Sequence, residues 1–419
     1  MIKKKVKKRK DSLLKRKSGF FNELEIDLEG DSKFSIFEVI IVTFISIIFG
    51  IIVGYILTYT STPIKAIKSD PNLEEIISTY NSIKNNYYKE IDDDTLVNAA
   101  VSGMIGSLDD KYSNYMDSIT TDSFNESVEG SFVGIGITIM FDGEYNKIIA
   151  VDDKGPSKKS LKVDDLIVEV SGKDVRGIYG DDLRKLIRGK VGTTIKIKVL
   201  RNNKYLTFSI KRTNIEIKTV KSNYFDVENK KIGYLDVDVI SSNTYKQFNK
   251  NLKRLENKNI DSLIIDLRDN PGGHLSQTKE ILSMFFNKKT VLYQLKDKDT
   301  KKKIYSSSNE TRSYPIVILV NDGSASASEI ITSCFMENYN NIKVVGTTTY
   351  GKGTVQQSHQ LSTGTSIKYT VQEWLTSRGK SINEKGIKPD EELLMNSEYY
   401  SNPTYNTDNQ LQKAIEILK

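Results

Sequence analysis

Four apolar runs constrain this chain more than any other feature: Lys231–Val237, Ser262–Leu267, Pro315–Val320 and Ile342–Gly346. Helical runs near 243–256, 275–287 and 326–338 separate them. Apolar strands alternating with helices build a largely parallel sheet that is covered on both faces. Such sheets place their ligands at the carboxyl ends of the strands. The residues that follow each run are therefore where chemistry is expected.

Three glycine- and serine-rich segments lie there. Asp266-Leu267-Arg268-Asp269-Asn270-Pro271-Gly272-Gly273 is a sharp turn after the second run. Asp322-Gly323-Ser324-Ala325-Ser326-Ala327-Ser328-Glu329-Ile330 follows the third, and Tyr350-Gly351-Lys352-Gly353-Thr354-Val355-Gln356 follows the fourth. Ser326 falls at the head of a helix, where unpaired N–H groups and a partial positive charge favour an alkoxide or an oxyanion. The glycine turn offers a second oxyanion donor. A free lysine, with a pKa of about 10.4, is useless as a base near neutrality. Burial disfavours the charged form and lowers that value by about 3–5 units in the extreme. Gly351 and Gly353 let the backbone around Lys352 pack closely, and Gln356 is placed to accept a hydrogen bond from the amine and aim its lone pair at Ser326. A serine nucleophile with a lysine base is the expectation.

Composition supports it by exclusion. The chain has two histidines, His274 and His359, and neither has an acidic partner nearby in sequence as a Ser-His-Asp triad requires. The one cysteine, Cys334, excludes an intrachain disulfide and a cysteine-cluster metal site, and its apolar surroundings read as core. No metal site and no cofactor are expected.

The first twenty residues hold ten Lys/Arg and one acid, +9, in a chain whose net charge is +7, so the remainder is −2. The basic balance belongs to a tail and does not argue for nucleic-acid binding. From Val39 to Leu57 run nineteen uncharged residues rich in Ile, Val and Phe, long enough to span a hydrocarbon core of roughly 30 Å as a helix. The expectation is a single-pass cell-membrane protein in contact with lipid, with its N-terminus cytoplasmic and the rest extracytoplasmic. The expected organisation is a basic tail (1–35), a transmembrane helix (36–58), a helical region (59–125), a β-rich module (126–213), an α/β core (214–395) and a C-terminal tail (396–419). A helix over Asn409–Leu418 in that tail offers a surface for homo-oligomer formation.

Residues 126–213 resemble a PDZ domain. Strand-like runs Gly134–Met140, Ile148–Val151, Asp165–Val170 and Thr194–Val199, with a helix over Asp181–Arg188, follow its order. The resemblance implies that the loop Val133-Gly134-Ile135-Gly136 meets a peptide's terminal carboxylate and that the peptide adds as a strand. Arg188, on the turn from helix to strand, is expected to sense that carboxylate or to couple it to the core. The turn Lys159-Ser160-Leu161-Lys162-Val163-Asp164-Asp165 departs from the Ala-Gly-Ile-Lys-Pro-Gly-Asp usual in such modules.

Over residues 71–395 the ordered motifs resemble the C-terminal processing (tail-specific) proteases, which are serine-type endopeptidases. Ser107–Ser113 and Gly386-Ile387-Lys388-Pro389-Asp390 belong to the likeness, while Thr376-Ser377-Arg378-Gly379-Lys380 stands where the family often has Thr-Pro-Ser-Gly-Arg. The resemblance implies a crotonase-like α/β protease core. It assigns Ser326 as nucleophile, Lys352 as general base and Gln356 as its support. The oxyanion donors it implies are the N–H groups of Ala327 and of the Gly272/Gly273 pair. Substrates would be proteins or peptides with a free C-terminus. Two alternatives from other classes are a catalytically silent, membrane-tethered PDZ adaptor and an acyl-CoA enzyme of similar core layout.

Overall fold

The computed structural model describes residues 37, 40–44, 48 and 70–419. The expected basic tail and most of the expected transmembrane helix over 36–58 lie outside the described residues. Among the described residues no helix is long and apolar enough to cross a membrane. The single transmembrane helix in the expected fold class, and the single-pass membrane localisation drawn from it, are corrected accordingly: an uncharged run of nineteen residues satisfies a length rule, but no helix among the described residues meets it.

Two units are present, residues 1–98 and 99–419. In the first, the helix Pro71–Asn86 starts where Asp70 accepts the Asn72 N–H at 3.0 Å and Pro71 supplies a residue that needs no N–H partner.

The second unit carries the PDZ-like module and the α/β core. The module's main sheet has the order Ile137–Phe141, Asn146–Val151, Leu166–Val170, Thr194–Arg201, Lys204–Lys211, and the helix Gly180–Ile187 packs Leu183 and Ile187 against it. The departing turn keeps its shape by another route. Asp164 adopts the left-handed φ of 71° that a glycine would take, and buried Asp165 accepts the Lys162 N–H at 2.8 Å and pairs with Arg201 at 2.6 Å. Ser131–Gly134 and Thr213–Glu216 pair antiparallel where the chain enters and leaves the module.

In the core, Lys230–Val237, Ser262–Asp266, Ile316–Val320, Ile342–Gly346 and Glu391–Glu392 run parallel, with Val220–Val227 antiparallel at one edge. The two central strands, Ser262–Asp266 and Ile316–Val320, are buried at every position because both faces are covered. The helices Thr244–Glu256, Leu275–Ser283 and Ala327–Asn338 cover one face through Phe248, Leu252, Ile281, Ile330 and Phe335. The helix Asn409–Leu418 covers the other through Leu411, Ala414, Ile415 and Leu418, which meet Tyr234, Ile264, Val317 and Leu319. Each large aliphatic buried this way contributes roughly 1.5–3 kcal/mol. That helix, expected to offer an assembly surface, thus spends its apolar face within the chain.

A second sheet was not expected. Asn114–Met116, Ser366–Leu375, Val291–Lys296 and Lys301–Tyr305 form an antiparallel path, and Thr354–Gln360 adds to Ser366–Leu375. Its strands are mostly half-buried or exposed and carry many polar side chains.

Candidate active site

The third parallel strand ends at Val320, the chain turns, and the helix Ala327–Asn338 begins with Ser326 as its N-cap. Positions 327–335 of that helix are all buried, so its head is fixed by packing on every side. The three serines before and in it have different fates. Ser324 Oγ donates to Leu267 O at 2.7 Å and Ser328 Oγ donates to Asn270 O at 3.0 Å, and both side chains are buried in tying this segment to the glycine turn. Ser326 is half-buried and held at φ 56°, ψ −112°. A conformation so sparsely populated costs roughly 1–3 kcal/mol and persists only where surroundings over-determine it.

Glu329 is what over-determines it. Its carboxylate is fully buried and accepts four hydrogen bonds: from the N–H of Ser326 (2.7 Å), the N–H of Gly351 (2.7 Å), the N–H of Lys352 (2.9 Å) and the hydroxyl of Thr349 (2.6 Å). One side chain therefore fixes the backbone of the serine and of the lysine together. Sequence reasoning quoted Glu329 without giving it a role. The signal was present, since Ser-x-x-Glu across 326–329 is the spacing of a capping box.

The glycine turn packs against the same helix head. Asn270 is fully buried, and its Oδ1 accepts the Gly272 N–H at 2.9 Å while its carbonyl accepts the Ala325 N–H at 3.0 Å. Of the expected Gly272/Gly273 pair, Gly272 is thus already engaged. Among the described residues no acceptor meets the N–H of Gly273 or that of Ala327, which leaves these two as donors. Gly272 sits at φ 91°, and a Cβ there would lie 2.6 Å from Ala325 O and 2.7 Å from Ala327 N. Arg268, also in the turn, is buried between Asp266 (2.6 Å) and Asp408 (2.7 Å), which anchors the turn to the start of the Asn409–Leu418 helix.

Lys352 is half-buried, and its carbonyl accepts the Trp374 indole N–H at 2.7 Å. At Gly353 a Cβ would come within 2.6 Å of Asn383 Cβ, so only glycine permits this approach. Burial pushes the Lys352 ammonium below the ordinary lysine range. The charge of Lys368 adds to the effect, while Asp110 and Glu329 oppose it. The Nζ atom lies 5.1 Å from the centre of the Tyr112 ring. Among the described residues no hydrogen bond joins it to Ser326 Oγ or to Gln356. Gln356 instead donates from Nε2 to Thr354 Oγ1 (2.8 Å) and Thr370 Oγ1 (3.1 Å). Asp110, Tyr112 and Lys368 near the lysine had no role in the sequence reading, because a chain position gives no sign of which polar residues of a distant turn or second sheet will face the first.

The histidines stand apart. His274 Nε2 lies 3.1 Å from Val128 O, and His359 is exposed on Thr354–Gln360.

In the PDZ-like module, Val133 and Gly134 pair with Asn214 and Thr213, Ile135 is buried, and Gly136 O accepts the Asp152 N–H at 2.9 Å. The next strand, Ile137–Phe141, lies at the edge of its sheet. Arg188 follows the helix Gly180–Ile187 and pairs with Glu126 on the helix Ser118–Glu129. Burial raises the Glu126 carboxyl above its ordinary range, against the pull of Arg188.

Three family models match: peptidase family S41 over residues 231–393, a PDZ domain over 133–211, and the activating protease CtpB N-terminal domain over 58–120. The chain is 37% identical over 323 residues to the carboxy-terminal processing protease CtpA of Bacillus subtilis (strain 168), covering 76% of this chain and 68% of that one. It is 38% identical over 324 residues to the carboxy-terminal processing protease CtpB of the same strain, covering 76% and 67%. Among solved structures, a photosystem II D1 C-terminal processing protease is similar at 22% identity and a TM-score of 0.45, covering 76% of this chain and 92% of that one. A catalytically silent adaptor and an acyl-CoA enzyme both give way to a serine-type peptidase with a PDZ domain that takes protein substrates. The chain belongs to the C-terminal processing serine proteases of peptidase family S41.

Proposed function

We propose that Ser326 and Lys352 form the catalytic dyad and that the PDZ module selects substrates by their free C-terminus. The observation that carries the reading is the joint hold of Glu329 on the backbone of both residues, with burial favouring the neutral form of the lysine. The substrate tail adds along Ile137–Phe141, and its carboxylate meets the loop Val133-Gly134-Ile135-Gly136 with Arg188 drawn from Glu126 towards it. The Lys352 amine leaves the face of Tyr112 and accepts a hydrogen bond from Ser326. As Ser326 Oγ attacks the scissile carbonyl, Lys352 takes the hydroxyl proton, and the N–H groups of Ala327 and Gly273 receive the oxyanion. Collapse of the tetrahedral intermediate breaks the C–N bond, and Lys352 gives its proton to the leaving amine. Water then attacks the acyl-enzyme, with Lys352 again taking and returning one proton. Gln356 orients the amine.

The test is cleavage of one peptide made with a free and with an amidated C-terminus. The wild type should prefer the free acid. Ser326→Ala and Lys352→Ala should each lower kcat by about 10⁴-fold or more without loss of folding, and Arg188→Ala should lose the preference for the free acid. Substantial cleavage by Lys352→Ala would remove the dyad, and equal cleavage of both peptides by the wild type would remove the selection by C-terminus.

A further inference from the structure

Gln356 is oriented by a chain of hydrogen bonds that begins in a distant part of the sequence. The turn Asp109–Ser113 lies against the strand Ser366–Leu375. There Asp110 Oδ2 accepts from the hydroxyls of Ser113 (2.6 Å) and Thr370 (2.5 Å), and Oδ1 accepts the Tyr112 N–H (3.1 Å). Ser113 Oγ also accepts the Thr370 N–H at 3.1 Å, so turn and strand are joined twice. Thr370 stands directly opposite Gln356 in the ladder, at a register shift between Val355 and Gln356 that re-aims the glutamine.

We propose that Asp110 and Thr370 are positioning residues that fix which end of the Gln356 amide faces Lys352. This rests on the reading of Lys352 as the base and of Gln356 as the group that orients its amine. An ionised carboxylate only accepts hydrogen bonds, so the Thr370 hydroxyl must spend its proton on Asp110. The Thr370 oxygen can then only accept from Gln356. The NH₂ end of the amide is drawn to Thr370 and Thr354, and both of its protons are used. The remaining atom, Oε1, is an acceptor and serves a donor alone, which is what orienting an amine requires. A reversed amide would present N–H groups to the lysine and repel its ammonium. Burial opposes the charge of Asp110, but the bonds from Ser113, Thr370 and the Tyr112 N–H together hold its carboxyl below the usual range, so the chain keeps its direction at neutral pH.

The charged groups around Lys352 make the relay separable from a structural role. They are Asp110 and Glu329, which favour its protonated form, and Lys368, which opposes it, beside the ring of Tyr112. In Asp110→Asn the new amide can donate to Thr370, the chain loses its direction, and one of those negative charges is gone. We expect kcat to fall about 10–100-fold, as for a displaced catalytic group, with KM little changed, and the acid limb of the pH–rate profile to move to lower pH. Thr370→Val should cause a similar fall with no such movement, and Thr370→Ser, which keeps the hydroxyl, should restore kcat. In a Gln356→Leu background, Thr370→Val should cost nothing more.

All variants are assayed as the full chain on a free-acid peptide, with Lys352→Ala alongside. If Lys352→Ala is inactive while Thr370→Val matches the wild type, or if the Gln356→Leu and Thr370→Val losses multiply, the relay is overturned and the dyad stands. If Lys352→Ala stays active, the dyad itself falls.

Discussion

The two sheets of the core divide the candidate site between them and do it by different physics. The parallel sheet carries Ser326 and the glycine turn on the ends of strands that are buried along their length. Position there follows from packing, and Ser324, Ser328 and Asn270 spend their polar groups locking turn to helix head. The antiparallel sheet brings half-buried Lys368 to act on Lys352, the turn bonded to that sheet brings Asp110, and position follows from hydrogen bonds between strands and turn. The half that carries Ser326 is thus rigid by burial, and the half that carries Lys352 is tuned by charge. Changes in the first should act on the height of the barrier, and changes in the second on the pH at which the barrier is crossed.

Gly272→Ala presses hardest on the first half. A Cβ at this position meets Ala325 O and the Ala327 nitrogen at 2.6 and 2.7 Å, and φ 91° is strained for alanine. The loop must shift away from the helix head and separate the Gly273 and Ala327 donors. Losing one oxyanion donor costs about 3–4 kcal/mol of transition-state stabilisation. We expect kcat to fall by about 10²–10³-fold, with an unchanged pH profile. A moved pH profile would show that the two halves are not separate.

Glu329→Gln strikes the joint between them. The carboxylate accepts from three backbone N–H groups and one hydroxyl. A glutamine offers one oxygen, so its NH₂ group must face at least one buried N–H. Leaving such groups unpaired costs about 1–3 kcal/mol, and denaturant unfolding should show a loss of that order together with reduced activity. Full stability with normal activity would mean that the two motifs hold their places without this carboxylate.

The same division governs what the sequence discloses. Lys231–Val237, Ser262–Leu267, Pro315–Val320 and Ile342–Gly346 are legible because strands covered on both faces are largely apolar, and the residues at their ends follow from that. Choosing Ser326 among three serines rests at the sequence level on its place at the helix head and on the family resemblance, and the structure adds that Ser324 and Ser328 are occupied. The strands Thr354–Gln360 and Ser366–Leu375 lack such a pattern. Thr-Val-Gln-Gln-Ser-His-Gln is polar on both faces, and the contacts of Thr370 with Asp110 span 260 positions of the chain. No local signal reports a partner that far away. The nineteen-residue apolar run shows the opposite error, where a strong local signal outruns the helix actually found among the described residues.

Lys368→Met is the mildest change and the sharpest test of the half that carries Lys352. Lys368 lies on Ser366–Leu375, its Nζ 5.4 Å from the centre of the Phe124 ring, and is itself held below the ordinary lysine range by burial, against Asp110. Its charge, second to burial, lowers the Lys352 ammonium. In the proposed dyad the neutral amine is the active form, so activity should rise with pH as Lys352 loses its proton. Removing the neighbouring cation makes that proton harder to lose, which raises the Lys352 pKa and moves the acid limb of kcat/KM to higher pH. The plateau at high pH should stay near the wild-type value, since no group at Ser326 or at the Ala327 and Gly273 donors is altered. The measurement is kcat/KM across the pH range for wild type and variant under one buffer and salt condition, because a surface contribution would be screened by salt and this half-buried one should persist. A limb that stays in place would mean that the charge of Lys368 is a bystander, and one that moves to lower pH would overturn the sign of its effect on Lys352.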